Sequence, residues 1–258
     1  MPLDPSSILL TDRVVIVTGA GRGIGRATAE LCAAFGALVA VCDRDADGLD
    51  TVQAALTRVI DVRDADTRDA FVADVVSELG RVDVLVNNAG GTFFAPFLDL
   101  SDKGEQALIA ENFGYVTALV RAVVPHMSPG SAIVSLTSIE AHQAAPGFAV
   151  YGAMKAALAH LTRTLALELA PLGIRVNAIA PDAIPTGGDG DVRAEMLAAS
   201  AAYDPAVMPP LGHMGDTADA AAAAVFLASD MAKFVTGTTL HVDGGNWAAG
   251  GWRRLSDS

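Results

Sequence analysis

Short aliphatic runs alternate with longer helix-like segments throughout the 258 residues, and this alternation limits the fold more than any other feature. Runs such as 82–86 place apolar residues on both sides of an extended chain. Strands of that kind are buried on both faces, as in parallel sheets covered by helices. The sequence therefore predicts an α/β fold with one doubly wound parallel sheet of about seven strands and helices on both faces.

The same alternation places the elements and the domain limits. The predicted strands are 14–18, 38–42, 57–60, 82–87, 132–136, 175–180 and 239–242. The predicted helices are 23–35, 66–79, 103–127, 149–170 and 217–228. Because no repeat or change of composition marks a second domain, residues 1–258 are expected to form a single domain. A proline- and glycine-rich stretch at about 181–210, with a helix-like piece at 192–202, is interpreted as a substrate-loop insertion.

Charge and composition exclude several classes of function. The formal net charge is −13 and basic residues form no cluster, so the chain is not expected to bind nucleic acid. The N-terminus does not resemble a signal peptide, and no run of about 18 uninterrupted apolar residues predicts a membrane span. Cys32 and Cys42 lie in apolar stretches and are expected to be buried thiols. The histidines lack the spacing of metal ligands, so no metal site is predicted. Together with the reduced cysteines, the lack of a signal peptide and of a membrane span makes the cytoplasm the expected location.

The first predicted strand leads directly into the glycine-rich sequence TGAGRGIG at 18–25, which a predicted helix follows. Glycines let the backbone turn sharply and approach a pyrophosphate, whose charge is favoured at a helix N-terminus. A strand-to-helix turn can also need glycine for purely steric reasons. Its place at the start of the domain, between strand and helix, favours dinucleotide binding.

Asp43, at the end of the second predicted strand, distinguishes between the two dinucleotides. A carboxylate there can accept hydrogen bonds from both ribose hydroxyls of NAD and repels the 2′-phosphate of NADP. Asp45 and Asp47 follow it, so Asp43 could instead be a solvated turn residue. Arg22 or Arg44 could also meet a phosphate. NAD is the predicted cofactor, with NADP less favoured.

An ordered set of motifs resembles the short-chain dehydrogenase/reductase family over essentially the whole chain. After TGxxxGxG come the segment NNAG at 87–90, then Asn112, Ser138, and Tyr151 and Lys155 in the spacing YxxxK. The resemblance implies one Rossmann-type domain. It also implies an oxidoreductase that transfers hydride between NAD and a secondary alcohol or ketone.

The glycine turn, Asp43 and the resemblance together give two sets of predicted site residues. The implied catalytic residues are Asn112, Ser138, Tyr151 and Lys155. The predicted cofactor contacts are Gly19, Arg22, Gly23, Ile24, Asp43, Asp61, Val62, Asn88, Ala89, Gly90, Tyr151, Lys155, Pro181, Ile184 and Thr186.

The resemblance also implies what some of these residues contact. Asp61 and Val62 should lie along the adenine, and residues 88–90 against the adenosine ribose. Ile184 and Thr186 should close over the nicotinamide carboxamide. The family usually has Pro-Gly where this chain has Pro-Asp at 181–182, so the backbone path before Thr186 is left open.

The reaction needs a proton to leave or join the substrate oxygen. A free tyrosine, with a pKa near 10, is a poor base at neutral pH. Lys155 lies one helical turn after Tyr151, and an adjacent ammonium favours the phenolate. The resemblance implies that Ser138 hydrogen-bonds the substrate oxygen and that Asn112 holds a water behind Lys155.

Two other functions remain open. One is NADPH-dependent reduction of 3-oxoacyl groups on acyl carrier protein, although the acidic chain lacks arginines at 125–130, where such reductases often place them. The other is a catalytically silent dinucleotide-binding regulator, which would have no use for the full catalytic set.

A homotetramer is also predicted. The two helices at 103–127 and 149–170 are rich in alanine and leucine, and the family pairs these helices between subunits. The same faces would also suit ordinary packing on the sheet. The only other partner expected is a small-molecule alcohol or ketone.

Overall fold

A computed structural model describes residues 3–186 and 208–250 and contains one parallel sheet of seven strands. The sheet order is β3-β2-β1-β4-β5-β6-β7. The strands are β1 (Val14–Thr18), β2 (Leu38–Asp43), β3 (Leu56–Val59), β4 (Val84–Asn87), β5 (Ala132–Leu136), β6 (Arg175–Pro181) and β7 (Thr239–Val242). The order reverses between β1 and β4, so a crevice opens there at the carboxyl ends of the strands. The predicted Rossmann-type fold is confirmed.

Helices cover both faces of the sheet. They are α1 (Gly23–Ala34), α2 (Ala46–Leu49), α3 (Ala65–Leu79), α4 (Asp102–Ile109), α5 (Tyr115–Val123), α6 (Ala149–Glu168), α7 (Thr217–Ala228) and α8 (Asn246–Ala249). Alternate residues of β1 enter opposite layers of the core, because successive side chains of a strand point to opposite faces. Val15 and Val17 pack with α1 and α7, and Ile16 packs with α3, α5 and α6.

Most element bounds agree with the predicted ones, and the others, apart from the helix predicted at 103–127, differ by one or two residues, as is usual at fraying ends. The fourth strand begins at Val84 rather than 82, because the Val82 N–H donates to the carbonyl of His126, outside the sheet. The predicted helix 149–170 ends at Glu168. The predicted loop helix at 192–202 and most of the 181–210 insertion lie outside the described residues.

The predicted helix 103–127 needs a larger correction. It consists of α4, a π-helical segment at Ala110–Gly114, α5 and a short 3-10 turn at Val124–His126. In the π segment the Tyr115 N–H donates to the carbonyl of Ala110, five residues back. Such wide turns add one residue to a helix and occur frequently at functional sites.

The continuous run Asp102–His126 has 25 residues and is long and apolar enough to cross a membrane, because an 18-residue window within it has a mean hydropathy of 1.4. Length and composition are weak evidence for a span, since core helices pass the same test. Here Leu119 and Val123 of α5 are fully buried in the core beneath the sheet. The expectation that the chain has no membrane span stays a prediction.

Candidate active site

The glycine-rich turn joins β1 to α1 at the crevice between β1 and β4. Gly19 and Gly23 have φ angles of +68° and +58°, a region that L-residues with side chains rarely adopt. The exposed Arg22 precedes α1 and provides no side-chain cap, and Ile24 in the first turn packs partly buried on the core. The residue at the N-cap of α1 thus provides no side-chain acceptor, and a helix N-terminus of this kind suits an anion.

Asn88, just after β4, clamps this turn. Its side-chain amide donates to the carbonyls of Thr18 (2.9 Å) and Gly19 (3.0 Å). The N–H groups of Asn88 and Ala89 both donate to the Thr18 hydroxyl at 3.0 Å. The buried Tyr115 hydroxyl holds the carbonyl of Ala89 at 2.7 Å. The ends of β1 and β4 are thus fixed to each other at the point where the predicted cofactor contacts begin.

Asp43, at the end of β2, faces the glycine-rich turn. Its carboxylate accepts the N–H groups of Gly21 (2.8 Å) and Asp45 (3.0 Å). The carboxylate therefore serves as a turn residue and also lies at the crevice where a ribose would be held. Arg44, the neighbouring cation that could meet a phosphate, is exposed.

Asp61 and Val62 follow β3 on the same edge of the sheet. Val62 is buried and belongs to the same core cluster as Phe71 and Val72, and its contact with an adenine stays a prediction. The Asp61 carboxylate is held by Arg63, with N–O distances of 2.9 and 2.5 Å. The hydrogen bond from Arg63 lowers the pKa of Asp61. Any contact of Asp61 with a ligand would have to share the carboxylate with this arginine.

The segment after β6 lies across the start of α1. Thr186 lies so close to Gly23 that a Cβ placed on that glycine would be 3.2 Å from the Cβ of Thr186. Ile184 is buried, and Pro181 is the last residue of β6. The left-handed residue in this segment is Ala183 (φ +54°) and not Asp182, where the family usually has glycine. Thr186 therefore reaches the glycine turn despite that departure.

Ser138, Tyr151 and Lys155 meet at the carboxyl end of β5. Ser138 lies two residues after this strand, and the other two are on the first turns of α6. Lys155 Nζ is 5.5 Å from the centre of the Tyr151 ring and donates to the carbonyl of Leu136 at 2.9 Å. The Ser138 hydroxyl donates to the Glu140 carboxylate. Tyr151 and Lys155 are thus adjacent, as expected for residues one turn apart on a helix, and the bond from Lys155 to Leu136 ties this pair to the end of the strand that Ser138 follows.

Asn112 lies in the π segment and is almost fully buried. Its side-chain amide donates to the carbonyls of Gly91 (2.9 Å) and Leu108 (3.0 Å). Its Oδ1 has no hydrogen-bond partner among the described residues. A Cβ placed on Gly90 would be 2.9 Å from that oxygen and 3.5 Å from Lys155 Nζ. The amide oxygen and the ammonium therefore border the same small space.

Lys155 is 5% exposed, and burial lowers its pKa to about 8 against the opposing charges of Glu140 and Glu111. Below about pH 8 both folded and unfolded chains hold the proton, and the fold bears the full cost of the buried charge. Between about pH 8 and 10.5 only the unfolded chain holds it, so the free energy of unfolding rises with pH there.

Replacing Lys155 with methionine is therefore expected to raise the free energy of unfolding at pH 7 by about 2 kcal/mol. This is the relieved charge burial less the lost hydrogen bond to Leu136. The advantage should shrink as the pH rises from about 8 to 10.5. Urea unfolding of both proteins across this pH range measures it. Lys103→Met, at an exposed lysine of α4, should change stability by less than about 0.5 kcal/mol. A less stable Lys155→Met protein would contradict the argument.

Three supporting residues were not predicted from the sequence. Thr18 and Tyr115 hold the segment after β4 through their hydroxyls. The Glu140 carboxylate accepts a hydrogen bond from the Ser138 hydroxyl. Its only sequence signal is an acidic residue two positions after a predicted catalytic serine, at the end of a buried strand. Cys32 and Cys42 are buried free thiols, as predicted.

A family model described as Enoyl-(Acyl carrier protein) reductase matches residues 19–246. An uncharacterized oxidoreductase of Mycobacterium tuberculosis is 40% identical, over 92% of this chain and 92% of its own length. The chain belongs to the short-chain dehydrogenase/reductase family. It is accordingly an oxidoreductase of a family that depends on NAD(P).

Two further members of the short-chain dehydrogenase/reductase family carry informative names. The L-rhamnose 1-dehydrogenase (NAD(P)(+)) of Azotobacter vinelandii is 37% identical, over 92% of this chain and 98% of its own length. A solved structure of 7α-hydroxysteroid dehydrogenase with NADH and 7-oxo glycochenodeoxycholic acid is 32% identical. It superimposes with a TM-score of 0.84, covering 95% of this chain and 98% of that one.

Proposed function

We propose that this enzyme catalyses the reversible oxidation of a secondary alcohol to a ketone with NAD. The observation that carries the proposal is the position of the buried Lys155 ammonium, 5.5 Å from the centre of the Tyr151 ring. A cation so close favours the phenolate form of tyrosine, which is the form that can accept a proton. Relatives named for a sugar and a steroid substrate support the reaction class but leave the substrate open.

The residues around the crevice fit a dinucleotide. The open N-terminus of α1 suits the pyrophosphate, and a Cβ placed on Gly19 would approach Ala89 Cα at 2.8 Å, so the backbone is close-packed there. Asp43 and residues 88–90 would hold the adenosine ribose. Asp61 and Val62 would line the adenine. The nicotinamide half would lie between Thr186 and Lys155, and bound NAD would exchange a hydride with the substrate carbon.

Each catalytic side chain then has one task. Tyr151 takes the proton from the alcohol during oxidation and returns it during ketone reduction. Lys155 stabilises the phenolate and would hold the nicotinamide ribose. Ser138 orients the substrate oxygen. The Oδ1 of Asn112, which has no partner within the part of the chain that the structure describes, lies beside the space that Lys155 borders and suits a water that would carry the proton onward.

The test is a panel of secondary alcohols and ketones assayed with NAD(H) and NADP(H). Turnover of at least one secondary alcohol with NAD is expected, and binding of NAD without turnover of any panel member would favour the silent regulator. Reduction of 3-oxoacyl thioesters with NADPH alone would favour the acyl carrier protein reductase instead.

We also propose a homotetramer in the cytoplasm that has no nucleic-acid or membrane partner, on the sequence arguments given above.

Replacing Asp43 with alanine is expected to raise the ratio of kcat/KM with NADP to kcat/KM with NAD by about 10²-fold. The change removes an acceptor for the ribose hydroxyls of NAD and a charge that repels the 2′-phosphate of NADP. Steady-state kinetics with both coenzymes measure the ratio. Asp47→Ala, at an exposed carboxylate of α2, should leave the ratio unchanged. An unchanged ratio in Asp43→Ala would mean that the carboxylate serves only the turn that it holds through Gly21.

A further inference from the structure

The Glu140 carboxylate lies beside Ser138, one of the proposed catalytic residues. Glu140 belongs to the 3-10 turn Ile139–Ala141 directly after Ser138, and its side chain is only partly exposed. Its carboxylate accepts the Ser138 hydroxyl. A Cβ placed on Gly152 of α6 would be 3.1 Å from the Glu140 carbonyl oxygen, so this turn is seated against the helix that carries Tyr151. Glu140 is therefore held close to the place where the substrate oxygen would bind.

The hydrogen bond between Ser138 and Glu140 has a consequence for catalysis. A serine hydroxyl has one hydrogen, and a carboxylate is a stronger acceptor than a neutral alcohol or ketone oxygen. While that hydrogen is donated to Glu140, Ser138 cannot donate it to the substrate. A substrate with a single oxygen must compete with the carboxylate for the serine hydrogen.

We propose that Glu140 makes the enzyme selective for substrates with a second hydroxyl on the carbon next to the reacting one, namely 1,2-diols and α-hydroxy ketones. The inference rests on the proposed function. The neighbouring hydroxyl donates to Glu140 in place of Ser138, and the freed serine hydrogen goes to the reacting oxygen. Gauche oxygens on adjacent carbons lie about 3 Å apart, close to the spacing of two hydrogen-bonded oxygens. A diol can therefore contact Ser138 and Glu140 at once.

Glu140 differs from the neighbouring carboxyl, Asp182, in its hydrogen-bond partner, which is the hydroxyl of Ser138. Asp182, the nearby carboxyl after β6, is engaged by the side-chain amide of Asn246 at 2.6 Å. Burial raises the pKa of Glu140, and the hydrogen bond from Ser138 opposes that shift. The Asp182 charge raises the pKa further, whereas Lys155 lowers it. A substrate hydroxyl that replaced the Ser138 hydroxyl would still donate a hydrogen bond to the Glu140 carboxylate.

The test compares kcat/KM for 1,2-cyclohexanediol and for cyclohexanol with NAD. The wild-type enzyme should prefer the diol, and Glu140→Gln and Glu140→Ala should each lower the diol-to-alcohol ratio about tenfold, because a charge-assisted hydrogen bond is lost. Glu168→Gln is the matched control, since it neutralises an exposed carboxylate at the other end of α6, and it should keep the wild-type ratio. Glu140→Gln is nearly isosteric, so the comparison survives if the alanine variant does not fold.

The outcomes separate this inference from the function on which it rests. Equal losses on both substrates in the Glu140 variants would assign Glu140 a structural role and overturn the inference. A wild-type enzyme that prefers cyclohexanol, or other panel members without a vicinal hydroxyl, would overturn it as well and leave the proposed function intact. A wild-type enzyme that turns over no alcohol or ketone of the panel would overturn the proposed function itself.

Discussion

Replacing Tyr151 with phenylalanine is expected to lower kcat for alcohol oxidation by about 10³-fold, the scale of a lost general base. The ring stays, so its packing beside Lys155 is kept, but no oxygen remains to accept the proton. The measurement is kcat on whichever panel alcohol the wild-type enzyme oxidises, together with the midpoint of thermal unfolding. The midpoint should change little, because only the phenolic oxygen is removed from a partly exposed side chain.

Tyr115→Phe is the matched control for this variant. It also removes a phenolic oxygen, here one that is buried and donates to the carbonyl of Ala89 at 2.7 Å. The expected cost is about 1 kcal/mol of unfolding free energy, with a fall in kcat of less than about tenfold. Full activity in Tyr151→Phe, or equal losses of kcat in both variants, would mean that the proton acceptor is not Tyr151.

Replacing Gly25 with alanine is expected to lower the free energy of unfolding by about 3 kcal/mol and to abolish coenzyme binding. A Cβ at this position of α1 would be 2.1 Å from the Gly19 carbonyl oxygen and 2.3 Å from the side-chain nitrogen of Asn88. Neither the Gly19 carbonyl nor the Asn88 amide can move away without a loss of other contacts. Gly19 is in the turn itself, and Asn88 clamps that turn to β4 through hydrogen bonds. The turn would have to open, and the N-terminus of α1 would shift.

Urea unfolding and titration with NADH, followed by fluorescence, measure both effects. Gly114→Ala is the matched control, because Gly114 is helical (φ −57°, ψ −50°) and, among residues 3–186 and 208–250, its Cβ would meet only the Ile109 carbonyl oxygen at 3.6 Å. That substitution should be neutral or stabilising by up to about 1 kcal/mol, since glycine is a poor helix former. If Gly25→Ala were as stable as the wild type and bound NADH, the turn would be more yielding than its contacts imply.

The sequence predicts best the features that depend on nearby residues. The glycine turn is set by a strand, a run of glycines and a helix that follow one another, and the Tyr151–Lys155 pair by one helical turn. The π segment is not predictable in this way. Its Asn112 side chain donates to the carbonyl of Gly91, which is 21 residues away in sequence. The Ser138–Glu140 contact was missed for another reason. The bend after β5 decides where both side chains point, and no periodicity describes that bend.

Asp182 stands where the family usually has glycine, and this one residue does not determine the local backbone. A glycine that the family usually has at one position suggests that its replacement alters the local backbone. In this chain the adjacent Ala183 adopts the left-handed conformation instead (φ +54°), and the Gly215 N–H donates to the Ala183 carbonyl at 3.1 Å. The left-handed residue is therefore the neighbour of Asp182, and Thr186 still lies against Gly23 of the glycine turn. The bond to Ala183 comes from a residue more than thirty positions away in sequence, and such a bond cannot be predicted from the motif.

The wide turn at Ala110–Gly114 places Asn112, a predicted catalytic residue, in a helix that continues into the core. A π turn holds about one residue more than an α-helical turn. Deleting one residue here would therefore restore a regular helix and leave the residues after it on the same face. Leu119 and Val123, which are fully buried, would stay in the core. We expect such a deletion to keep the core and to displace the Asn112 side chain from the carbonyls of Gly91 and Leu108.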